Sequence, residues 1–347
     1  MSAARWMRRL AIAGVILCFI VVVLGAYVRL TAAGLGCPDW PGCYGELTPG
    51  GAAGSAHAQA AYAGRPLEVG KAWREMIHRY AVGTLSLLIL VLAGLALRAR
   101  RARLVSVPLV LTLLATLILQ ALLGMLTVTW RLNPLIVTLH LLFGLTTLSL
   151  LWWLTLGLSQ PVTSWGASAM RGPGHSISGG GAVSYASAYR LALLGLVALA
   201  LQIALGGWTS SNYAAIACPD FPTCQGAWWP ATDYRHAFVL WHRLGTNYEG
   251  GVLGSPARVA IQLTHRLGAL VAATALTLAA LFVLRRRGLA AARPRAGLLL
   301  GALALQLLIG VSMVVGGFPL WLATAHTAGA ALLLLATLAL LRALSAR

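Results

Sequence analysis

Four histidines recur in two registered pairs, and their spacing suggests metal chemistry. His78 and His140 lie 62 residues apart, and His265 and His326 lie 61 apart. Gln120 precedes His140 by 20 residues, and Gln306 precedes His326 by the same 20. All four fall in long apolar runs, where an ionisable side chain is costly and marks a functional position by default. Two imidazoles facing each other across a helix bundle can clamp a haem iron from both sides, with the flat macrocycle shielded between helices. Any one of these residues could equally be a hydrogen-bonded interfacial histidine; four at repeated positions argue against that. Zinc fits less well, because no third or fourth His or Cys ligand lies at that depth. A c-type haem is excluded, because the sequence has no C-x-x-C-H.

The repeat breaks at an informative place. The first half reads Glu75-Met76-Ile77-His78-Arg79 and the second Gln262-Leu263-Thr264-His265-Arg266. Glu75 is three residues before His78, so on a helix both project from one face. A carboxylate there can act as a general acid/base beside a haem, or hydrogen-bond its ligand; Gln262 can do only the second. The alternative is an interfacial carboxylate paired with Arg79 or Arg74. The first half is therefore expected to hold the reactive site and the second a fixed electron-transfer haem. Arg79 and Arg266 suit haem propionates through their guanidinium forks, or serve as interface anchors. Gln120 and Gln306 read as interhelical hydrogen-bonding residues.

The remaining histidines and the cysteines lie elsewhere. His57 falls in an Ala-rich loop, His175 in a Gly/Ser-rich stretch, and both read as solvated. His236 and His242 have no counterpart in the first half; a plain loop role is expected, with contact to a haem edge or a partner as the alternative. Four of the five cysteines form two C-x5-C pairs in parts of the chain expected to face an oxidising compartment. Prolines inside each pair favour a tight turn. Disulfides Cys37–Cys43 and Cys218–Cys224 are expected, against unpaired thiols or a redox-active first pair. Cys18 reads as a small apolar residue.

The elements that must position these groups are transmembrane helices. The 347 residues are 59% hydrophobic and 10% charged, with a mean hydropathy of +0.81, which excludes a soluble enzyme, a disordered chain and a disulfide miniprotein. Eight apolar runs reach spanning length: about 10–28, 77–97, 105–127, 135–157, 190–209, 262–284, 296–316 and 319–341. The first follows an Arg-rich start but is long and lacks an A-x-A-like site, so an uncleaved helix is expected. The net charge of +19 resembles that of a nucleic-acid binder, but its distribution is topogenic. Arg5, Arg8, Arg9, Arg98, Arg100, Arg101, Arg103, Arg171, Arg190, Arg285, Arg286, Arg287, Arg293, Arg295, Arg342 and Arg347 all fall on one side. Both termini are then cytoplasmic and no nucleic acid is expected. The acids Asp39, Glu46, Glu68, Glu75, Asp220, Asp233 and Glu249 fall in the two long outer loops or at their edge. Arg29 ends the first helix, and Trp40, Tyr44, Trp228 and Trp229 read as interfacial belt aromatics.

The two halves match at an offset of about 186: Cys37-Pro-Asp-Trp-Pro-Gly-Cys43 with Cys218-Pro-Asp-Phe-Pro-Thr-Cys224, His78-Arg79 with His265-Arg266, Leu119-Gln120 and Gly124 with Leu305-Gln306 and Gly310, and His140 with His326. The offset covers four helices, so the repeats run parallel. The expected architecture is an all-α polytopic membrane protein, eight transmembrane helices as two pseudo-twofold-related four-helix bundles. The halves are 1–158 (outer loop 30–76) and 190–347 (outer loop 210–261), joined by a flexible cytoplasmic linker, 159–189.

Taken together, Gly25-Ala-Tyr-Val-Arg-Leu-Thr-Ala-Ala-Gly-Leu-Gly-Cys-Pro-Asp-Trp-Pro-Gly-Cys43, Glu75-Met-Ile-His78-Arg79, His140, Thr264-His265-Arg266 and His326 resemble bacterial haem A synthases over nearly the whole chain. The resemblance implies oxidation of the C8 methyl of haem O to the formyl of haem A, by successive hydroxylations and loss of water, for haem-copper oxidases. It implies that His78 and His140 receive haem O, that Glu75 is the essential glutamate, and that His265 and His326 ligate a haem b cofactor. It matches the Cys pairs to the family's outer-loop cysteines. It implies a bacterial inner membrane location, outer loops in the periplasm, haem O synthase as a partner and a separate electron donor, with homo-oligomerisation open. A longer second outer loop (41 residues from Cys224 to His265, against 35 from Cys43 to His78) and the extra His236 and His242 leave the docking partner open.

Two other readings compete. A dihaem b-type membrane electron-transfer protein, such as a quinol oxidoreductase, explains four histidines equally well but not the Glu75/Gln262 difference. A transporter with inherited repeats predicts charged or broken helices at the midplane, and the sequence shows few.

Overall fold

A computed structural model describes residues 3–99, 105–159, 179–241 and 243–345. The eight apolar runs become eight long helices: α1 (Ala3–Leu30), α2 (Val69–Arg98), α3 (Val107–Thr129), α4 (Pro134–Leu158), α5 (Gly179–Ser211), α6 (Ser255–Arg285), α7 (Arg293–Val315) and α8 (Leu320–Ser345). Each is long and apolar enough to cross a bilayer core about 30 Å thick, so the chain is a multi-pass membrane protein. Proline opens four of them within the first turn, at Pro108, Pro134, Pro256 and Pro294, where its missing N–H costs nothing. Asn133 caps α4 by accepting from the Leu135 N–H at 3.1 Å.

Helix limits depart from the apolar runs in one direction. α2 begins at Val69 and α6 at Ser255, about two turns before hydrophobicity rises. The residues there, such as Lys71, Ala72, Arg74 and Glu75, are good helix formers, so the helix continues past the bilayer edge. Glu75 and Gln262 are thereby fixed on regular helix. α5 likewise begins at Gly179, so residues 179–189, read from composition as linker, are helical. The rest of that linker, with His175 and Arg171, lies outside the described residues, as do Arg100, Arg101, Arg103, Arg347 and His242.

The same helix pairs touch in each half. α1 packs on α2 and α4, with α3 between α2 and α4; α5 packs on α6 and α8, with α7 between α6 and α8. The halves meet through α1 with α8, α4 with α5, and α4 with α8. One apolar core runs through both, including the fully buried Ile89, Leu148, Leu151, Leu276, Leu299 and Leu340. The outward faces are apolar too. Leu87, Leu90 and Val91 on α2 and Leu270, Val271 and Leu278 on α6 stand exposed at helical spacing, as a lipid-facing surface requires.

Both C-x5-C pairs are disulfide-bonded. Each closed loop wraps an aspartate. The Tyr44 and Gly45 N–H groups donate to Asp39 at 2.6 and 2.8 Å, and the Gln225 and Gly226 N–H groups donate to Asp220 at 2.6 and 3.0 Å. The hydroxyl of Thr223 and these amides hold the Asp220 carboxyl down at about 2, so it stays ionised at any physiological pH. These two acids are therefore structural. Glu68 pairs with Lys71 at 2.9 Å, Glu249 with Arg65 at 3.4 Å, and Asp233 with His236 at 2.6 Å. The Arg65–Glu249 contact joins the two outer loops, and Arg29 ties the halves below them by donating to the Ser210 carbonyl at 2.8 Å while lying over the Tyr213 ring.

Candidate functional site

Helix geometry puts the four histidines two to three turns inside α2, α4, α6 and α8. Protein surrounds each ring closely, yet each retains accessible surface in the interior. That combination describes side chains facing an internal cleft. Within each half the two imidazoles are near enough to interact electrostatically, His78 with His140 and His265 with His326. The structure thus pairs them as their spacing suggested.

Every imidazole packs directly onto a glycine of the neighbouring helix. A Cβ on Gly25 would stand 3.0 Å from His78 Nε2, and one on Gly124 would stand 3.4 Å from His140 Cε1. The equivalents in the second half are Gly206 at 3.1 Å from His265 Cε1 and Gly310 at 3.0 Å from His326 Cε1. Four glycine notches for four rings fix where the rings sit relative to the next helix. Gly124 and Gly310 were visible as a repeat; Gly25 and Gly206 were not, because helix one and helix five register at an offset of 181 rather than 186. The longer second outer loop accounts for the difference.

These residues fit a haem held between two axial imidazoles. Among the described residues no three His, Cys, Asp or Glu side chains gather within reach of one metal ion. A bare ion would thus find two protein ligands in each half, whereas a porphyrin brings its own four nitrogens. His78 and His140 would hold one such group, and His265 and His326 the other.

Glu75 is buried, 5% exposed, and both its oxygens are engaged. The Cys37 N–H donates to Oε2 at 2.9 Å, and Arg79 Nη2 donates to Oε1 at 2.5 Å. The pairing with Arg79 was one of the sequence alternatives; the bond to the disulfide loop, 38 residues away, was not foreseeable from spacing. A carboxylate has about four lone-pair sites, so Glu75 keeps capacity for another proton or donor. Gln262, equally buried at 3%, makes no such bridge, and its Oε1 is without a hydrogen-bond partner.

The two arginines have taken up the loops. Arg79 Nη1 donates to the carbonyls of Asp39 (2.9 Å), Pro41 (3.3 Å) and Gly42. Arg266 donates to the carbonyls of Thr223 and Asp220 (each 2.7 Å), Cys218 (3.1 Å) and Pro222 (3.4 Å). Each guanidinium clamps the disulfide loop above its own histidine. Neither was read this way from sequence, where propionates or anchoring were the options.

Arg79 and Glu75 form an ion pair mostly shielded from water, with side chains 13% and 7% exposed. Removing one partner of a buried pair strands the other. Arg79→Met is therefore expected to destabilise the protein by about 3–5 kcal/mol. The double variant Arg79→Met/Glu75→Gln should recover much of that loss. Thermal unfolding in detergent measures both, and equal losses in single and double variants would contradict the buried pair.

Gln120 and Gln306 bridge helices as expected, donating to the carbonyls of His140 and His326, each at 3.1 Å. Gln202, unnoticed in the sequence, does the same for His265 at 3.0 Å. His57 is exposed. His236 is exposed and bonded to Asp233, away from the paired histidines.

Fold and site together define a class: polytopic helical membrane proteins that carry one inward-facing histidine pair in each four-helix half. The chain belongs to the COX15-CtaA family of cytochrome oxidase assembly proteins, whose profile matches residues 8–338. It is 40% identical to a protein named heme A synthase from Shewanella oneidensis, over 95% of this chain and 93% of that one. It is also 34% identical to a heme A synthase of a Methylobacterium species, over 41% of this chain and 37% of the other. A Listeria welshimeri heme A synthase is 35% identical over 38% of each.

Proposed function

We propose that this chain oxidises the C8 methyl of haem O to the formyl of haem A, by successive hydroxylations followed by loss of water. It would act as an oxidoreductase on a CH group and supply haem-copper oxidases. Family membership and the 40% identity to a heme A synthase over most of both chains support the reaction. The observation that carries the division of labour is the bridge made by Glu75, for which Gln262 has no equivalent. In this reading His78 and His140 receive haem O as substrate. Glu75, one turn before His78 on α2, handles protons there. His265 and His326 hold haem b, which when bound supplies one-electron redox chemistry.

The protein's own residues do the rest. Arg79 holds the Glu75 carboxylate and the Cys37–Cys43 loop in one unit at the outer end of the first half. Arg266 holds the corresponding loop without a carboxylate. The apolar lining keeps bulk water from the rings, so any proton must pass through named groups, of which Glu75 is the buried acid in the first half. We place the protein in a bacterial plasma membrane, both termini cytoplasmic and the disulfide loops periplasmic, because the basic residues cluster at one end of the helices and the acids at the other. Haem O synthase as supplier of substrate, an electron-transfer partner and self-association complete the reading.

Haem extraction from cells co-expressing this chain with haem O synthase tests the reaction. Haem A is expected on chromatography, and its absence beside accumulated haem O would refute it. A dihaem electron carrier would give that second pattern.

A further inference from the structure

The halves differ in what stands behind the histidines. In the second half, Gln202 Nε2 on α5 lies 3.0 Å from His265 Nδ1, as well as donating to the His265 carbonyl. Gln306 Nε2 on α7 lies 3.3 and 3.4 Å from the two ring nitrogens of His326. The Oε1 atoms of both amides are buried without a hydrogen-bond partner. Both amides sit in notches left by a glycine one turn past the histidine. A Cβ on Gly268 would collide with Gln202 Oε1, and one on Gly329 with Gln306 Oε1.

The first half has neither notch. Val21 occupies the position of Gln202, Ala81 that of Gly268, and Phe143 that of Gly329. Gln120 is retained, but it reaches only the His140 carbonyl, and His140 Nδ1 has no partner. The glutamine and the glycine that makes room for it are thus present together at both second-half histidines, and no first-half histidine has the combination.

An imidazole that binds iron through Nε2 carries its proton on Nδ1, and an acceptor there fixes its tautomer and orientation and raises its basicity. The unpartnered Oε1 of each second-half amide is such an acceptor, brought to the ring by a half-turn of the terminal amide, which exchanges two groups of nearly equal size. We propose that Gln202 and Gln306 are positioning residues that brace His265 and His326 from behind and make the second-half site the slow-releasing one. The first half, without the brace, exchanges its haem. This rests on the reading that the paired histidines hold haem, and it adds which residues make one site permanent and the other transient.

The test uses purified full-length protein loaded with haem b. Gln202→Leu and Gln306→Leu are expected to keep a low-spin, two-histidine spectrum but to release haem b to excess apomyoglobin about tenfold faster or more. The parent rate in both variants overturns the proposal. The reciprocal graft Val21→Gln/Ala81→Gly, monitored with haem O bound, should slow release from the first half, and it covers the case in which a leucine variant fails to fold. An unchanged release rate in the graft counts against the brace. Failure of the underlying haem reading looks different: parent protein that binds no haem, or full haem content in His265→Ala.

Discussion

Glu75→Gln is expected to lower conversion of haem O to haem A by about 100-fold or more, the scale on which a positioned acid or base contributes. The substitution changes almost no volume. Its amide oxygen can still accept from the Cys37 N–H, which the carboxylate accepts at 2.9 Å. What disappears is the ability to exchange a proton and the ion pair to Arg79. Gln262 shows that this fold tolerates a buried glutamine at the corresponding place. Haem b bound between His265 and His326 should therefore stay at the parent level, which separates lost chemistry from lost structure. Conversion at the normal rate in the purified variant would make the catalytic role of Glu75 wrong.

His265→Ala and His326→Ala should each abolish tightly bound haem b, seen as loss of its absorption bands after purification. One remaining imidazole leaves a single axial bond, and the deleted ring leaves an open notch beside Gly206 or Gly310. His78→Ala and His140→Ala should retain haem b and fail to hold haem O. Full haem b in both second-half variants would sink the assignment of the cofactor site. The same loss from all four would mean that the halves are not divided into substrate and cofactor sites.

Much of this was legible without coordinates. The spans followed from apolar run length, because backbone groups in lipid must be satisfied within a helix. The histidine pairs followed from two matching spacings. Glu75 stood out because its counterpart is Gln262. Helix ends were less legible, since α2 and α6 extend past the hydrophobic stretch on residues whose helix propensity, rather than hydropathy, decides. Arg79 shows the boundary well. Its ion pair with Glu75 is one turn away on the same helix and was a sequence alternative, but its grip on the carbonyls of Asp39 and Gly42 depends on how a long loop folds back.

By itself, the sequence determined the class, the topology and the identity of the ligands, because those are written in period, charge sign and short registered spacings along the chain. Only the tertiary structure decided which atoms meet. The Cys37 N–H reaches Glu75 across 38 residues, and Gln202 reaches His265 across 63 and between two helices. Such contacts depend on helix rotation and on close approach at Gly25, Gly124, Gly206 and Gly310, where a missing side chain lets a ring lie against a neighbouring backbone. Helical periodicity fixes which face of a helix a residue occupies, but packing between helices selects the neighbour that face meets.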